Sequence, residues 1–126
     1  MAKTLLVAYD GSYVSQDALK FAISMARAYG DHIRVVNVQQ SHQLLGEHDI
    51  KEASAILEEE GVPYTTTIRV GMPSIEILAE ARDEAVRCIV MGSKGKGNSR
   101  NTLGSVSMAV LAMAFCPVVV IPARKP

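Results

Sequence analysis

The sequence has no excess of either charge, since Lys plus Arg and Asp plus Glu each number 13. General nucleic-acid binders and membrane-surface binders carry a surplus of basic residues, so this balance argues against both classes. A net charge of zero also leaves little electrostatic repulsion between copies of the chain. Self-association is therefore compatible with the composition.

Cysteine is scarce, and long apolar runs are missing. Two cysteines, Cys88 and Cys116, do not make the disulfide framework of a small secreted domain. The longest apolar runs have the length of a strand, which is too short to cross a membrane. The apolar stretch from Leu5 to Tyr9 is also too short for the apolar region of a signal peptide. We therefore expect a cytoplasmic protein.

Strand-like and helix-like segments alternate along the chain, which favours a parallel sheet with helices on both faces. We expect strands at residues 4–8, 33–38, 64–70, 88–91 and 117–121, and a last helix at residues 105–114. The third strand is rich in β-branched residues and partly alternating, which is typical of a position near a sheet edge. No linker or repeat interrupts the pattern, so we predict a single domain over residues 1–126, with five parallel strands in the order 3-2-1-4-5 and four flanking helices.

Glycine and proline mark the expected ends of the helices. Gly30 and Gly61 each follow a helical pattern, where glycine commonly ends a helix. Pro73 lies in the first turn of another. Three methionines, Met25, Met108 and Met113, fall within helical patterns beside other apolar residues, so we expect them in the core.

A glycine-rich basic loop follows the fourth strand. It reads Gly92-Ser93-Lys94-Gly95-Lys96-Gly97-Asn98-Ser99 and leads to Gly104-Ser105, where a helical pattern begins. A strand, a glycine loop and a helix N-terminus in this order favour a bound anion, because backbone N–H groups and the helix dipole attract phosphate. Lys94, Lys96 and Arg100 add positive charge suited to a polyphosphate. The alternative is a solvated, charged glycine loop without a ligand.

This loop matches neither of the common nucleotide-binding fingerprints. Asn98 stands where a P-loop has its phosphate-binding lysine, and Arg100 stands where the dinucleotide fingerprint has its last glycine. A nucleotide site of another type is therefore required if the loop binds phosphate.

A second short motif, Asp10-Gly11-Ser12, follows the first strand. Most such tripeptides are only turns and helix caps. In an open parallel sheet of order 3-2-1-4-5, however, the strand order reverses between the first and fourth strands, and ligands bind outside the carboxyl ends of those strands. The Asp10 turn and the glycine loop would then flank one crevice.

These motifs together resemble the universal stress protein family, small α/β proteins that bind adenine nucleotides. The matching segments cover nearly the whole chain; they are Val7–Ser12, Gly71–Pro73, Ile89–Gly95, Gly104–Val106 and Cys116–Ile121. The resemblance implies a regulator of the stress response rather than an enzyme, with ATP or AMP as ligand and Mg²⁺ as an optional companion. It also implies a homodimer formed through the last strand, at Val118, Val119, Val120 and Ile121.

The resemblance further implies roles for individual residues. Asp10, Gly11 and Ser12 would bind the nucleotide at the end of the first strand, where Asp10 would hold the adenosine part, and the backbone of Val38 would contact adenine. The phosphates would lie against the glycine loop and the start of the following helix, at Gly92, Ser93, Lys94, Gly95, Lys96, Gly104, Ser105 and Val106. No catalytic residue is expected, because no residue near the glycine loop is an evident general base. No metal ligand is expected, because His32, His42 and His48 lack the spacing of a metal site.

The chain departs from the family pattern in two places. The pattern has nine residues between its second glycine and the Gly-Ser pair, whereas Lys96 to Leu103 supplies eight. The stretch from Ser41 to Gly61 is also shorter than usual, which trims the second helix. The short loop favours an alternative: a member of the family that binds no nucleotide and acts as a dimeric interaction module. A further alternative, an enzyme of the related α-hydrolase type, would need a Ser-Gly-Gly-x-Asp-Ser loop that this sequence lacks.

Overall fold

A computed structural model of the chain describes residues 2–95 and 103–124. Five strands alternate with four α-helices in this part, and a short 3₁₀ turn, Gln43–Gly46, precedes the second helix. The strands are β1 (Thr4–Ala8), β2 (His32–Gln39), β3 (Tyr64–Val70), β4 (Val86–Gly92) and β5 (Val118–Ile121). The helices are α1 (Tyr13–Tyr29), α2 (Glu47–Glu60), α3 (Pro73–Glu80) and α4 (Ser105–Met113).

All neighbouring strands run parallel, and they form one sheet of order β3-β2-β1-β4-β5. The predicted fold class and strand order are therefore confirmed, and β3 lies at an edge as expected. Element boundaries differ from the predicted ones by one or two residues, because the ends of helices and strands fray. The order reverses between β1 and β4, so the loops that leave these two strands diverge and open a crevice.

Glycine and proline end and start the helices where the sequence indicated. Gly30 and Gly61 follow α1 and α2 in the left-handed conformation, with φ of 72° and 70°. Only glycine adopts this conformation without a steric cost from Cβ. Pro73 is in the first turn of α3, where the missing N–H of proline removes no helical hydrogen bond.

The core has one layer on each face of the sheet. On one face, the side chains of Leu5, Val7 and Val35 pack under α1 and α2. On the other face, Leu6 and Val36 pack under α3 and α4. Each strand contributes alternate residues to the two layers, so β1 is a nearly continuous apolar run, as expected for a strand covered on both faces.

The prediction for the methionines is right for Met25 and wrong for the other two. Met25 is partly buried and packs against the core layer under α1. Met108 and Met113 are 55% and 64% exposed on α4. The helix buries Ser107 and Val110, so its buried stripe runs between the two methionines rather than through them.

Cys88 lies in β4 and Cys116 lies just before the neighbouring strand β5, but the two side chains pack into different layers of the core. Cys88 belongs to the layer under α1 and α2, whereas Cys116 packs against the layer under α3 and α4. Burial raises the pKa of both thiols, which disfavours the reactive thiolate. Both are free thiols in the structure.

A buried ion pair joins β4 to the start of β2 at the amino-terminal edge of the sheet. The Asp31 side chain has no exposed surface, and its carboxylate accepts hydrogen bonds from Arg87 Nε at 2.5 Å and Nη2 at 3.2 Å. The backbone N–H of Lys3, just before β1, also donates to Asp31 at 3.0 Å. The guanidinium of Arg87 lies 4.2 Å from the centre of the Tyr29 ring. The guanidinium of Arg87 therefore connects β4 to the end of α1 at Tyr29 and to Asp31, the residue before β2.

No helix within residues 2–95 and 103–124 is long and apolar enough to cross a membrane.

Candidate functional site

The crevice between β1 and β4 is a cleft of about 210 Å³ at the carboxyl ends of the strands, bordered by α3 and α4. Of the residues predicted from the sequence, eight line it: Asp10, Val38, Gly92, Lys94, Gly95, Gly104, Ser105 and Val106. Three further predicted residues are near the cleft but do not line it: Gly11, Ser12 and Ser93. Lys96 falls outside the described residues. The fold thus brings the Asp10 turn and the glycine loop to one place.

The backbone of Val38 faces the cleft because pairing with β1 ends just before it. Two residues of β2, His32 and Val36, form hydrogen bonds on the side of β1. The N–H of His32 donates to Lys3 O, and Val36 O accepts the N–H of Tyr9. Alternate residues of a parallel strand point the same way, so the N–H and C=O of Val38 also point toward β1. The paired register stops at Ala8 and Val36. Among the described residues, no backbone hydrogen bond from β1 reaches Val38.

A tight turn places Asp10 at the end of β1. Its carboxylate Oδ1 accepts the N–H of Ser12 at 2.9 Å, and Gly11 between them has a φ of 83°. Ser12 caps α1, because its Oγ accepts the N–H of Ser15 at 3.2 Å. Gly11 and Ser12 therefore shape the turn, and Asp10 keeps one carboxylate oxygen for the cleft.

The N-terminus of α4 points its backbone amides at the cleft. Gly104 precedes the helix and has no side chain to cap it, and Ser105, Val106 and Ser107 form the first turn. Amides in a first turn have no acceptor inside the helix, so they favour an anion. Ser107 Oγ donates to Gly92 O at 2.8 Å, which ties this helix end to the end of β4.

Two glycines allow the close packing of these segments. A Cβ on Gly104 would lie 3.0 Å from Lys94 Cα, and the Gly104 N–H donates to Ser93 O at 2.8 Å. A Cβ on Gly92 would overlap the side chain of Val14 at the start of α1. Glycine at both positions lets the β4 loop lie between two helix N-termini.

Lys94 lines the cleft and places a cationic residue in its wall, where it is 7% exposed. The Ser93 N–H beside it donates to Ile121 O at 2.8 Å, so the loop begins as an extension of the β4–β5 pairing. This anchoring fixes the backbone from which Lys94 and Gly95 line the cleft.

The wall opposite α4 is apolar and belongs to α3. Pro73 and Ile77 line the cleft on this side. The helix is held on the sheet by Arg69, which donates to Glu76 at 2.6 Å and to Glu80 at 2.7 Å. Arg34 also reaches Glu80, at 3.5 Å. Ion pairs from two strands therefore hold this wall in place.

The sequence pattern of the universal stress protein family matches residues 1–122. The chain belongs to the universal stress protein family. Universal stress protein MJ0531 of Methanocaldococcus jannaschii is 32% identical over 143 residues, which cover 98% of this chain and 83% of the relative. Universal stress protein YxiE of Bacillus subtilis is 33% identical over 147 residues, covering 96% and 99% of the two chains.

Solved structures of universal stress proteins share the fold. Protein MJ0577 of Methanocaldococcus jannaschii superposes with a TM-score of 0.88 at 26% identity, covering 100% of this chain and 99% of that one. A universal stress protein of Archaeoglobus fulgidus, solved in complex with dAMP, has a TM-score of 0.77 at 24% identity, covering 96% and 98%. One from Arabidopsis thaliana, solved with AMP bound, also has a TM-score of 0.77, at 22% identity, covering 98% and 93%.

Several lining residues of this universal stress protein were missed by the sequence analysis; they include Ser15, Val36, Pro73, Ile77, Met91 and Ser107. Two of these had a usable signal. Val36 lies two residues before Val38, so strand alternation places both side chains on one face. Ile77 lies four residues after Pro73, so helical spacing places both on one side of α3. The others depend on how α1 and α4 dock on the sheet.

Within the described part of the chain, no group of three His, Cys, Asp or Glu side chains is arranged to hold a metal ion. Asp10 contributes a carboxylate to the cleft, and the backbone of Val38 contributes a donor and an acceptor. At the α4 end, the cleft is lined by the cationic residue Lys94 and by the first turn of the helix. These groups suit a ligand with hydroxyls, a heterocycle and a negative charge.

Proposed function

We propose that this universal stress protein binds an adenine nucleotide, AMP or ATP, in the cleft between β1 and β4. The observation that carries the proposal is the Val38 backbone at the end of β2, with its N–H and C=O turned toward the cleft. Adenine offers an acceptor at N1 beside a donor at N6, which matches an N–H and a C=O from one residue. The structural relatives solved with dAMP and AMP support the same ligand class.

The opposite end of the cleft suits the phosphates. The first-turn amides of α4, the Ser105 hydroxyl and the Lys94 ammonium would meet them there. Mg²⁺ would accompany ATP as a charge partner of the triphosphate. The glycine loop is one residue short, but glycine absorbs changes in backbone conformation at small cost, so we expect the phosphate grip to survive.

We also propose that the protein is a cytoplasmic regulator rather than an enzyme. The polar side chains described at the phosphate end, Lys94, Ser105 and Ser107, include no carboxylate or imidazole that could act as a general base. The carboxylate of Asp10 lies at the adenosine end of the proposed ligand, away from the phosphates. Such an arrangement holds and orients a nucleotide.

Adding AMP or ATP should raise the melting temperature. A ligand at about 100 times its Kd stabilises the folded state by roughly 2.7 kcal/mol. For a domain of this size, that corresponds to a shift on the order of 10 °C. Thermal unfolding with millimolar AMP and ATP, with and without Mg²⁺, measures the shift. Ser105→Ala should weaken ATP more than adenosine, because this hydroxyl lies at the phosphate end.

The absence of any shift with these nucleotides would contradict the proposal. It would favour the second candidate function, a dimeric interaction module that binds no nucleotide. The short glycine loop is the feature that favours this second candidate. Mass spectrometry of material released from protein purified without added nucleotide provides an independent check.

We further propose a homodimer formed through β5. This strand lies at the edge of the sheet, and its four β-branched residues are only partly buried. An exposed apolar edge strand promotes pairing with another chain unless it is covered. Beside it, Met108 and Leu111 on α4 are 55% and 45% exposed, and Phe115 is 93% exposed. A second copy would cover both the strand and these side chains.

Val120→Pro should dissociate this dimer without unfolding the protomer. The carbonyls of Pro117 and Ile121 bond to β4, so the amides of Val118 and Val120 point outward. Proline at 120 removes an outward donor and leaves the ladder to β4 intact. Two lost hydrogen bonds, one per copy, should weaken the dimer by at least about 30-fold. Sedimentation with far-UV circular dichroism tests this, and a monomeric wild type at micromolar concentration would refute the dimer.

A further inference from the structure

A buried amide lies on the face of β2 opposite the cleft. Asn37 is 1% exposed, and its Nδ2 donates to the backbone carbonyl of Tyr9 at 2.9 Å and to Asp49 Oδ2 at 3.2 Å. Its Oδ1 accepts from Gln39 Nε2 at 2.9 Å. Both amide hydrogens have acceptors and the amide oxygen has a donor, which fixes the orientation of the side chain.

The surrounding backbone holds Asn37 in this position. A Cβ on Gly46 would overlap Asn37 Oδ1, so the turn before α2 packs directly on the amide. The Tyr9 ring is buried on the same face, and its hydroxyl donates to Glu52 of α2. Burial and Glu52 together raise the pKa of Tyr9, so this donor stays protonated. The end of β1 is therefore fixed from the α2 side.

The Tyr9 carbonyl is the group that a longer β1 would use to pair with Val38. Tyr9 N donates to Val36 O, so the next hydrogen bond of a regular parallel ladder would join Val38 N to Tyr9 O. In the described part of the chain, that backbone bond is absent, and the Asn37 side chain occupies the Tyr9 carbonyl instead.

We propose that Asn37 is a positioning residue for base recognition, because it takes the Tyr9 carbonyl and so leaves the N–H of Val38 open to the ligand. Asn37 lies on the other face of the sheet and does not line the cleft. It acts through the backbone of Tyr9. The role in base recognition depends on the proposed nucleotide function, whereas the open Val38 amide is a property of the ligand-free protein.

Hydrogen exchange of the ligand-free wild type tests the open amide without a nucleotide. The Val36 amide belongs to the paired register of β1 and β2, and the Val38 amide does not. Val38 should therefore exchange at least about tenfold faster than Val36, because its amide has no partner on β1. Equal protection of the two amides would overturn the inference, even if nucleotide binding is confirmed.

Asn37→Leu removes the donor while nearly keeping the side-chain shape. In this variant the Tyr9 carbonyl should pair with Val38, so exchange of the Val38 amide should slow to the range of Val36. Asp49→Ala is the matched control, because it removes the other acceptor of the same amide and leaves the bond to Tyr9. Its Val38 exchange should stay at the wild-type rate. Fast exchange at Val38 in folded Asn37→Leu would overturn the inference.

Base selectivity gives a second readout, with AMP, IMP and ribose 5-phosphate as probes. Hypoxanthine in IMP presents a donor at N1 and an acceptor at position 6, the reverse of adenine. Wild type and Asp49→Ala should prefer AMP to IMP by at least about tenfold, and Asn37→Leu by less than about threefold. Ribose 5-phosphate, which has no base, should bind the wild type and both variants with equal affinity. A wild-type preference retained in Asn37→Leu would overturn the inference, whereas failure of every probe to bind wild type would overturn only the nucleotide function.

Discussion

Replacing Arg87 by alanine should lower the free energy of unfolding by about 2–4 kcal/mol at pH 7, because it leaves the Asp31 carboxylate buried without its cation. The Asp31 side chain has no exposed surface, whereas that of Arg87 is 31% exposed. The Lys3 amide remains as a donor to Asp31, which places the effect below that of a fully buried pair. The variant should also lose the stacking of Arg87 on Tyr29.

The effect of Arg87→Ala should depend on pH. The hydrogen bonds from Arg87 are the largest cause that holds the pKa of Asp31 below its usual value in the folded state. A lowered folded pKa gives stability that is present above the unfolded pKa and is lost as the pH falls through the folded one. The difference between wild type and Arg87→Ala should therefore shrink below about pH 4. Urea unfolding at neutral and acidic pH measures it.

Arg27→Ala is the matched control for this pair. Arg27 bonds to Glu60 at 2.7 Å, but the two side chains are 55% and 41% exposed. An exposed ion pair contributes less than about 1 kcal/mol, so this variant should unfold nearly as wild type does. If Arg87→Ala costs no more than Arg27→Ala, the buried pair does not stabilise the sheet edge as inferred.

The sequence was sufficient to predict the strands and the helix ends, because their signals are local, and the strand order was then that of an open parallel α/β sheet. Buried strands read as apolar runs, and glycine at 30 and 61 marked helix ends through a conformation that other residues avoid. The crevice followed from the strand order alone, so the two loops that border it could be named in advance. Eight of the predicted site residues line one cleft for this reason.

The sequence could not reveal features that depend on packing between distant segments. Nearly every residue of α4 is apolar or small, so the spacing of Met108 and Met113 did not distinguish the buried face from the exposed one. Arg87 and Asp31 are 56 positions apart and meet only through the register of three strands. Nothing in the sequence distinguishes Asn37 from other polar residues of a strand, because its contact with Tyr9 depends on where β1 stops.

Asp10→Asn should weaken AMP binding by about 10- to 100-fold, because hydrogen bonds from ribose hydroxyls to a carboxylate are stronger than those to a neutral amide. Asparagine keeps an Oδ1 acceptor for the Ser12 N–H, so the turn after β1 should form as in the wild type. The ligand-free melting temperature should therefore change little. At a concentration of about 100 times the wild-type Kd, the stabilisation by AMP should fall from roughly 2.7 to between about 0.4 and 1.4 kcal/mol.

Ser12→Ala separates the fold of this turn from ligand binding. Ser12 caps α1 through the Ser15 N–H and lies outside the described cleft lining. Its loss should cost about 1 kcal/mol of stability, as for other helix caps, while the shift produced by AMP remains. Calorimetric titration with AMP and with pyrophosphate completes the comparison, since pyrophosphate lacks the ribose and should bind Asp10→Asn no more weakly than wild type. Wild-type affinity of Asp10→Asn for AMP would show that Asp10 only shapes the turn, and the adenosine end of the cleft would then depend on Val38 and the apolar wall of α3.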